Sequence, residues 1–177
     1  RSDTLVRFLD DRIRVVVATC AFGMGIDKPG VKLVAHWTMP ATPESYYQEA
    51  GRAGRDGSAA RCIIFHHPSD MVLPRRQLDV TYPPERTLEL LWKTPELRQR
   101  HPPSIVAAAD RLAAELRPDR GVVDWTRVRR RRREAEKRLA AMSSYALTRN
   151  CRRRVLMEWF GEKNVRCAGC DRCRTTG

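Results

Sequence analysis

Four cysteines near the end of the chain, Cys151, Cys167, Cys170 and Cys173, stand in the pattern C-x15-C-x2-C-x2-C. The last two steps share Cys170, so the backbone must turn sharply around it, and Gly169 permits such a turn. Four thiolates at this spacing suit a tetrahedral zinc ion. Disulfides and an iron–sulfur cluster are the rival uses of such a run. Few large apolar side chains follow Gly161, so the segment has little to fold around except a metal. Cys20 and Cys62 lie in or beside β-branched runs and read as small buried hydrophobes, not ligands.

A second stretch constrains chemistry more than fold. In Gln48-Glu49-Ala50-Gly51-Arg52-Ala53-Gly54-Arg55-Asp56-Gly57, a glycine precedes each of Arg52 and Arg55. On a helix that spacing points both guanidinium groups the same way. Two permanent forks presented together suit a polyphosphate, and such a pair can stabilise a phosphoryl group in transfer. The same residues also suit a helix C-terminus whose arginines favour the dipole and whose glycines form the cap.

Around this stretch the pattern is α/β. Leu5, Phe8 and Leu9 mark one face of an opening helix. Ile13 to Ala18 is a β-branched run without alternation, as expected of a strand buried on both faces of a parallel sheet. Thr19 ends it, and Phe22 to Pro29 is a loop broken by Gly23, Gly25 and Pro29. Ligands of open α/β sheets gather at the carboxyl ends of strands, where this loop falls. A second strand is expected over Val31–Trp37, with His36 packed at its end. A helix follows from Thr42, its cap, to Ala50, with Pro43 at the first position, and then a strand over Arg61–Phe65. The fold class expected is α/β: a partial RecA-like parallel-sheet domain followed by a mostly helical region with a four-cysteine zinc module.

The segments Val15–Pro29, His36–Pro40 and Ser45–Gly57, read together, resemble motifs V and VI of superfamily 2 helicases. "AFGMGIDKP" with "YYQEAGRAGRDG" resembles the RecQ family of ATP-dependent DNA helicases, nearly unbroken from Arg14 to Gly57. The resemblance implies that Thr19 touches a phosphate of a bound strand. It places Gly25 and Asp27 near the nucleotide, Asp27 meeting the ribose or coupling the two ligands. Gln48, Arg52 and Arg55 would complete the ATP site, with Arg55 as the finger. It further implies 3′-to-5′ movement on single-stranded DNA and unwinding in repair and recombination. ATP and Mg²⁺ would be cofactors of the complete enzyme, and single strands and duplex junctions its partners. No G-x-x-x-x-G-K-[ST] occurs and no methionine begins the chain, so a C-terminal piece of a longer enzyme is expected, unable to hydrolyse ATP alone.

The residues Asn150–Arg153, Trp159–Glu162 and Cys167–Cys173 resemble the zinc-binding module that follows the RecQ motor. There a helix carries the first cysteine near its start, and a following loop supplies the other three. The helicase half implies a reducing compartment, which disfavours disulfides. In this reading Arg152, Arg153 and Arg154 reach DNA or brace the motor.

Between these landmarks Pro83-Pro84, Pro102-Pro103 and Pro118 divide a helical stretch. Helices are expected over Glu85–Arg100, broken or kinked at Pro95, and from Ser104 with a stripe of Ile105, Ala108, Ala109, Leu112 and Leu116. A third is expected over Asp124–Leu147. Arg127 and the run Arg129 to Arg133 are the densest charge cluster. Some of these can answer acids at helical spacing, and Arg130, Arg131 and Arg133 are candidates for backbone contact with nucleic acid. The domains expected are 1–78, the later part of a second RecA-like domain; 79–133, a helical insertion, either packed spacer or small winged-helix-like body; and 134–177, the zinc module. A net charge of +13 points to a polyanionic partner. No apolar run approaches the roughly 18 residues of a membrane span, so no membrane partner is expected. The expected location is cytoplasmic and nucleoid-associated in a bacterium, nuclear in a eukaryote. A different class remains open: a non-catalytic zinc- and arginine-based nucleic-acid-binding module on an inactive motor scaffold.

Overall fold

A computed structural model describes residues 2–19, 27–118, 121–167 and 169–173 of the chain. Cys20 and Gly25 lie outside the described residues. Two compact units are present, Arg1–Phe65 and His66–Gly177.

In the first unit the described elements are α1 (Ser2–Leu9), β1 (Leu33–His36), α2 (Pro43–Ala50) and β2 (Arg61–Ile64). The strands pair in parallel, Leu33 opposite Arg61 and His36 opposite Ile64, which requires the crossover that α2 provides. Thr42 caps α2 as expected, its hydroxyl accepting from Ser45 N at 3.1 Å, and Pro43 stands in the first turn. Tyr46 on α2 is buried, its ring 5.3 Å from that of His36, which is 8% exposed. On the opposite side of the sheet Leu33, Ile63, Trp37 and Phe65 are all exposed, with no described element over them.

Among the described residues the strand expected over Ile13–Ala18 is not formed, and Val15 is 79% and Val17 97% exposed. A strand exists only where a neighbour completes its ladder, and among the described residues the sheet contains β1 and β2 alone. Cys62 lies in β2 but is exposed, not buried, because no described element covers that position. Its thiol still reaches Ala50 O at 3.4 Å, and partial desolvation raises its pKa.

The second unit is helical. A 3₁₀ turn (Pro68–Met71) is capped by His67, whose Nδ1 accepts from Ser69 N while Asp70 accepts from His67 N. It leads into α3 (Val72–Thr81), which the periodicity does not announce. The long helix expected over Glu85–Arg100 is two elements, α4 (Glu85–Lys93) and a 3₁₀ segment (Pro95–Arg100). Pro95 lacks an N–H and clashes with a preceding turn, so the α-helix stops before it. α5 (Pro103–Leu116) starts at the proline pair, leaving Ser104 inside the helix and not at its cap. Pro at the first position is preorganised for that role. α6 (Trp125–Leu147) is capped by Asp124, which accepts from Thr126 N at 2.9 Å, and α7 (Arg152–Trp159) completes the unit. Among the described residues no helix is long and apolar enough to cross a membrane.

The core of this unit joins Leu88 and Leu91 of α4, Ala109 and Leu112 of α5, and Val128 of α6. Trp92 stacks on Trp125 with ring centroids 5.5 Å apart, and its indole donates to Ala109 O at 2.9 Å. Each fully buried leucine contributes about 1.5–3 kcal/mol. The stretch 79–133 is therefore a packed bundle that shares its core with α6.

Candidate functional site

Gly51 ends α2, and residues 51–58 form turns, so Arg52 and Arg55 do not stand on one helix face. The glycines explain the difference. Gly54 (φ +69°) and Gly57 (φ +76°) adopt the left-handed backbone, and a Cβ on Gly54 would lie 2.8 Å from Ser58 O. The turn is moored to the start of β1, where Gly54 N donates to Val31 O at 2.9 Å. Lys32 Nζ adds bonds to Ser58 Oγ and to Asp56 at 3.4 Å. Hydrogen bonds from Ser58, with the Lys32 charge, hold the Asp56 pKa near 2.

On this turn Arg52 is half-buried and Arg55 is exposed. Arg55 Nη1 lies 2.6 Å from Asp27 Oδ1, and Nε reaches Gly51 O at 3.4 Å. Gln48 is exposed in the last turn of α2. The structure thus brings Asp27 to Arg55, with Arg52 and Gln48 on the same short segment. Among the described residues Thr19 is exposed and hydrogen-bonds to none of them. Lys28, given no role from the sequence, is an anchor: its side chain is 11% exposed, and Nζ lies 2.9 Å from Asp11 and 3.1 Å from Leu9 O. Nothing local in the sequence signals that contact.

The cysteines meet. Cys151 precedes α7, the other three follow on a loop, and their four sulfurs all lie within 4.8 Å of one another. Sulfurs bound to zinc at about 2.3 Å in a tetrahedron are roughly 3.8 Å apart, so the donor set fits that ion with little rearrangement. Gly169, at φ +101°, turns its N–H toward Cys167 Sγ (3.4 Å), and Cys170 N follows at 3.3 Å. These N–H groups lower the Cys167 pKa. Burial opposes ionisation of Cys170, yet backbone N–H groups beginning with that of Arg152, and the Cys173 thiol, bring it to about 6. Hydrogen bonds with the other three sulfurs, Cys170 foremost, push Cys173 up to about 12. A metal bound by these sulfurs would displace their protons.

Arg152 braces this loop. Its Nε binds Asp171 at 2.6 Å, its Nη1 binds Tyr145 O at 2.9 Å, and its guanidinium lies over the Tyr145 ring. The Arg152 partner keeps the Asp171 pKa low. Arg153 and Arg154 remain exposed.

The arginine run of α6 divides by direction. Arg129 binds Glu85 through two bonds of 2.7 and 3.0 Å, and Arg131 grips Glu115 at 2.6 and 2.7 Å. Arg132 joins Asp79, Glu136 and Tyr82 O. Arg130 and Arg133 point outward and make no ion pair with a described residue. Lys137, one turn on, lies with Nζ 5.9 Å from the Trp159 ring centroid. Sequence spacing set Arg131 beside Arg130 and Arg133 as a candidate for phosphate contact because its partner, Glu115 on α5, is distant in the chain.

The family model described as the helicase conserved C-terminal domain matches residues 1–57, and the RecQ zinc-binding model matches residues 116–174. The chain is 32% identical to the ATP-dependent DNA helicase RecQ of Bacillus subtilis over 177 residues, covering 99% of this chain and 22% of that protein. It is 33% identical to the RecQ of Haemophilus influenzae over 167 residues, 94% of this chain and 20% of the relative. A protein of Acanthamoeba polyphaga mimivirus, provisionally named an ATP-dependent RNA helicase, is 32% identical over 174 residues, 98% of this chain and 24% of its own length. The chain thus spans less than a quarter of each of these curated relatives.

Proposed function

Because this chain belongs to the RecQ helicase family, we propose that it supplies the arginine side of an ATP site and the zinc module of an ATP-driven DNA helicase. The observation that carries this reading is the turn after α2. Two arginines lie close together on a glycine-moulded backbone that a Cβ would obstruct, and one of them meets the loop of the other motif through Asp27. In the complete enzyme ATP and Mg²⁺ supply the phosphoryl chemistry. This chain's part is to offer Arg55 to charge developing on the phosphates, with Arg52 and Gln48 orienting the same group. Thr19 and Gly25 belong to the loop that meets the strand and the nucleotide.

Cys151, Cys167, Cys170 and Cys173 would hold a structural zinc ion. Phosphate contact falls to Arg130, Arg133 and Arg153, exposed cations that make no ion pair with a described residue, while Arg131 and Arg152 act chiefly as braces. Movement is 3′-to-5′ along single-stranded DNA, with duplex junctions as substrates in repair and recombination. We keep the assigned segments 1–78, 79–133 and 134–177 as functional divisions: motor, packed spacer and zinc module.

The test is Arg55→Ala in the full-length protein that carries this chain. Hydrolysis of ATP falls by roughly 10³-fold or more while nucleotide affinity stays within a few-fold, as expected for a group acting on transition-state charge. Unchanged turnover ends the finger assignment. Duplexes of DNA and RNA with 3′ or 5′ tails, assayed side by side, decide substrate and polarity. Absence of unwinding and of hydrolysis in the wild type would favour the inactive-scaffold binder.

A further inference from the structure

The geometry points to Asp27 as a positioning residue for Arg55, transmitting the placement of α1 and the following loop to the arginine turn. The inference rests on the proposed role of Arg55. Arg55 stands on a turn, not a helix, so no neighbouring helical turn restricts its long side chain. Gly54 and Gly57 set the direction of the backbone and leave the guanidinium to be fixed by its contacts. Arg55 Nε reaches Gly51 O at a long 3.4 Å, whereas the contact of Nη1 with Asp27 is short, at 2.6 Å, and charged. A carboxylate on one nitrogen of a planar fork fixes the plane in which the other donors lie.

Asp27 is itself held from behind. The next residue, Lys28, is nearly buried and is tied to Leu9 O at the end of α1, to Asp11, and to the Phe8 ring 5.3 Å away. Residues distant in sequence therefore form one line of contacts, from α1 through Lys28 and Asp27 to Arg55. The Asp27 carboxylate is 83% exposed, and exposed pairs add little to stability. Its removal should leave the fold intact and the arginine misplaced.

In the full-length protein, Asp27→Asn is expected to lower kcat for DNA-stimulated ATP hydrolysis by roughly 10–100-fold, with KM for ATP within about two-fold and an unchanged unfolding midpoint. It should cause no further loss on top of Arg55→Ala, and Lys28→Gln should act in the same direction but less. Asp27→Glu should recover part of the rate. In the 177-residue chain without nucleotide, Asp27→Asn should shift the Arg55 side-chain N–H resonance. Normal kcat in Asp27→Asn, with Arg55→Ala inactive, overturns the anchor alone. Normal turnover in Arg55→Ala overturns the arginine assignment and the anchor with it. A raised KM at intact kcat, with ATP and 2′-deoxy-ATP used equally, overturns it in favour of a direct ribose contact. An unshifted Arg55 resonance overturns the contact itself.

Discussion

The two units of this chain hold themselves together in opposite ways. In Arg1–Phe65 the described residues form two helices and two short strands with few buried apolar side chains, and Val15, Val17, Trp37 and Phe65 stand in solvent. Its ordered features are polar and lie in loops: the Lys28 anchor, the Asp27–Arg55 pair and the glycine turn. In His66–Gly177 leucines of α4 and α5 close on Val128 of α6, arginines of α6 grip acids on three other helices, and four sulfurs converge. The Lys28–Asp11 and Asp27–Arg55 contacts of the first unit lie in loops. The second closes its charges on one another and leaves Arg130 and Arg133 exposed.

That contrast is tested most severely by the metal. With so little apolar surface after Gly161, the loop carrying Cys167, Cys170 and Cys173 depends on zinc, which contributes on the order of 10 kcal/mol in small finger peptides. The purified chain should hold about one zinc, and Cys170→Ser or a strong chelator should unfold the C-terminal end and reduce DNA binding. The signals of Arg1–Phe65 should stay in place, as should the α4–α5 core. Metal analysis and residue-resolved NMR of each single Cys→Ser variant check this. Full zinc retention in Cys170→Ser would refute the four-cysteine site.

The next largest effect separates the two cores. Leu88 is completely buried, so Leu88→Ala should cost about 2–5 kcal/mol in denaturant unfolding of the helical unit. Val17→Ala, at a side chain 97% exposed, should be nearly silent. Equal costs at the two positions would mean that the first unit has a core comparable to the second.

What could be read from the sequence follows the same division. α2 and α6 were legible because their signals are local: Thr42 before Pro43, and Asp124 before a long helical run. The cysteine site was legible because ligand spacing is itself a geometric statement. The Ile13–Ala18 run was misread because β structure depends on a partner strand that the sequence pattern cannot supply. α3 escaped notice because Met71 offers no side-chain cap and Pro74 interrupts its first turn. The geometry of Arg52 and Arg55 was not legible, since the left-handed Gly54 and Gly57 replace a helix by a turn. The arginine run was opaque for a simpler reason. Glu85 and Glu115 lie far away in sequence, and only the packed bundle shows which charges they neutralise.

The smallest predicted effect sharpens the idea that ligand contact in the helical unit falls to leftover cations. Arg130 and Arg133 are one helical turn apart and outward-facing, with Lys137 continuing the stripe. Arg131 lies between them in sequence, yet its fork is closed on Glu115 by two short bonds. A cation already paired releases fewer counterions when a phosphate approaches, so it adds less to the salt dependence of binding. Replacing Arg130 and Arg133 together by Ala should weaken single-strand binding modestly. It should also flatten the slope of log K against log salt by up to about 0.7 per lost contact. Arg131→Ala should leave that slope nearly unchanged and instead lower the stability of the bundle, by about 1 kcal/mol or less because the pair is 40% exposed on the arginine side. Titrations of labelled oligonucleotide at several salt concentrations, beside unfolding curves of the same variants, separate the two effects. A flattened slope in Arg131→Ala with none in the double variant would reverse the assignment, making the paired arginine the one that reaches the strand.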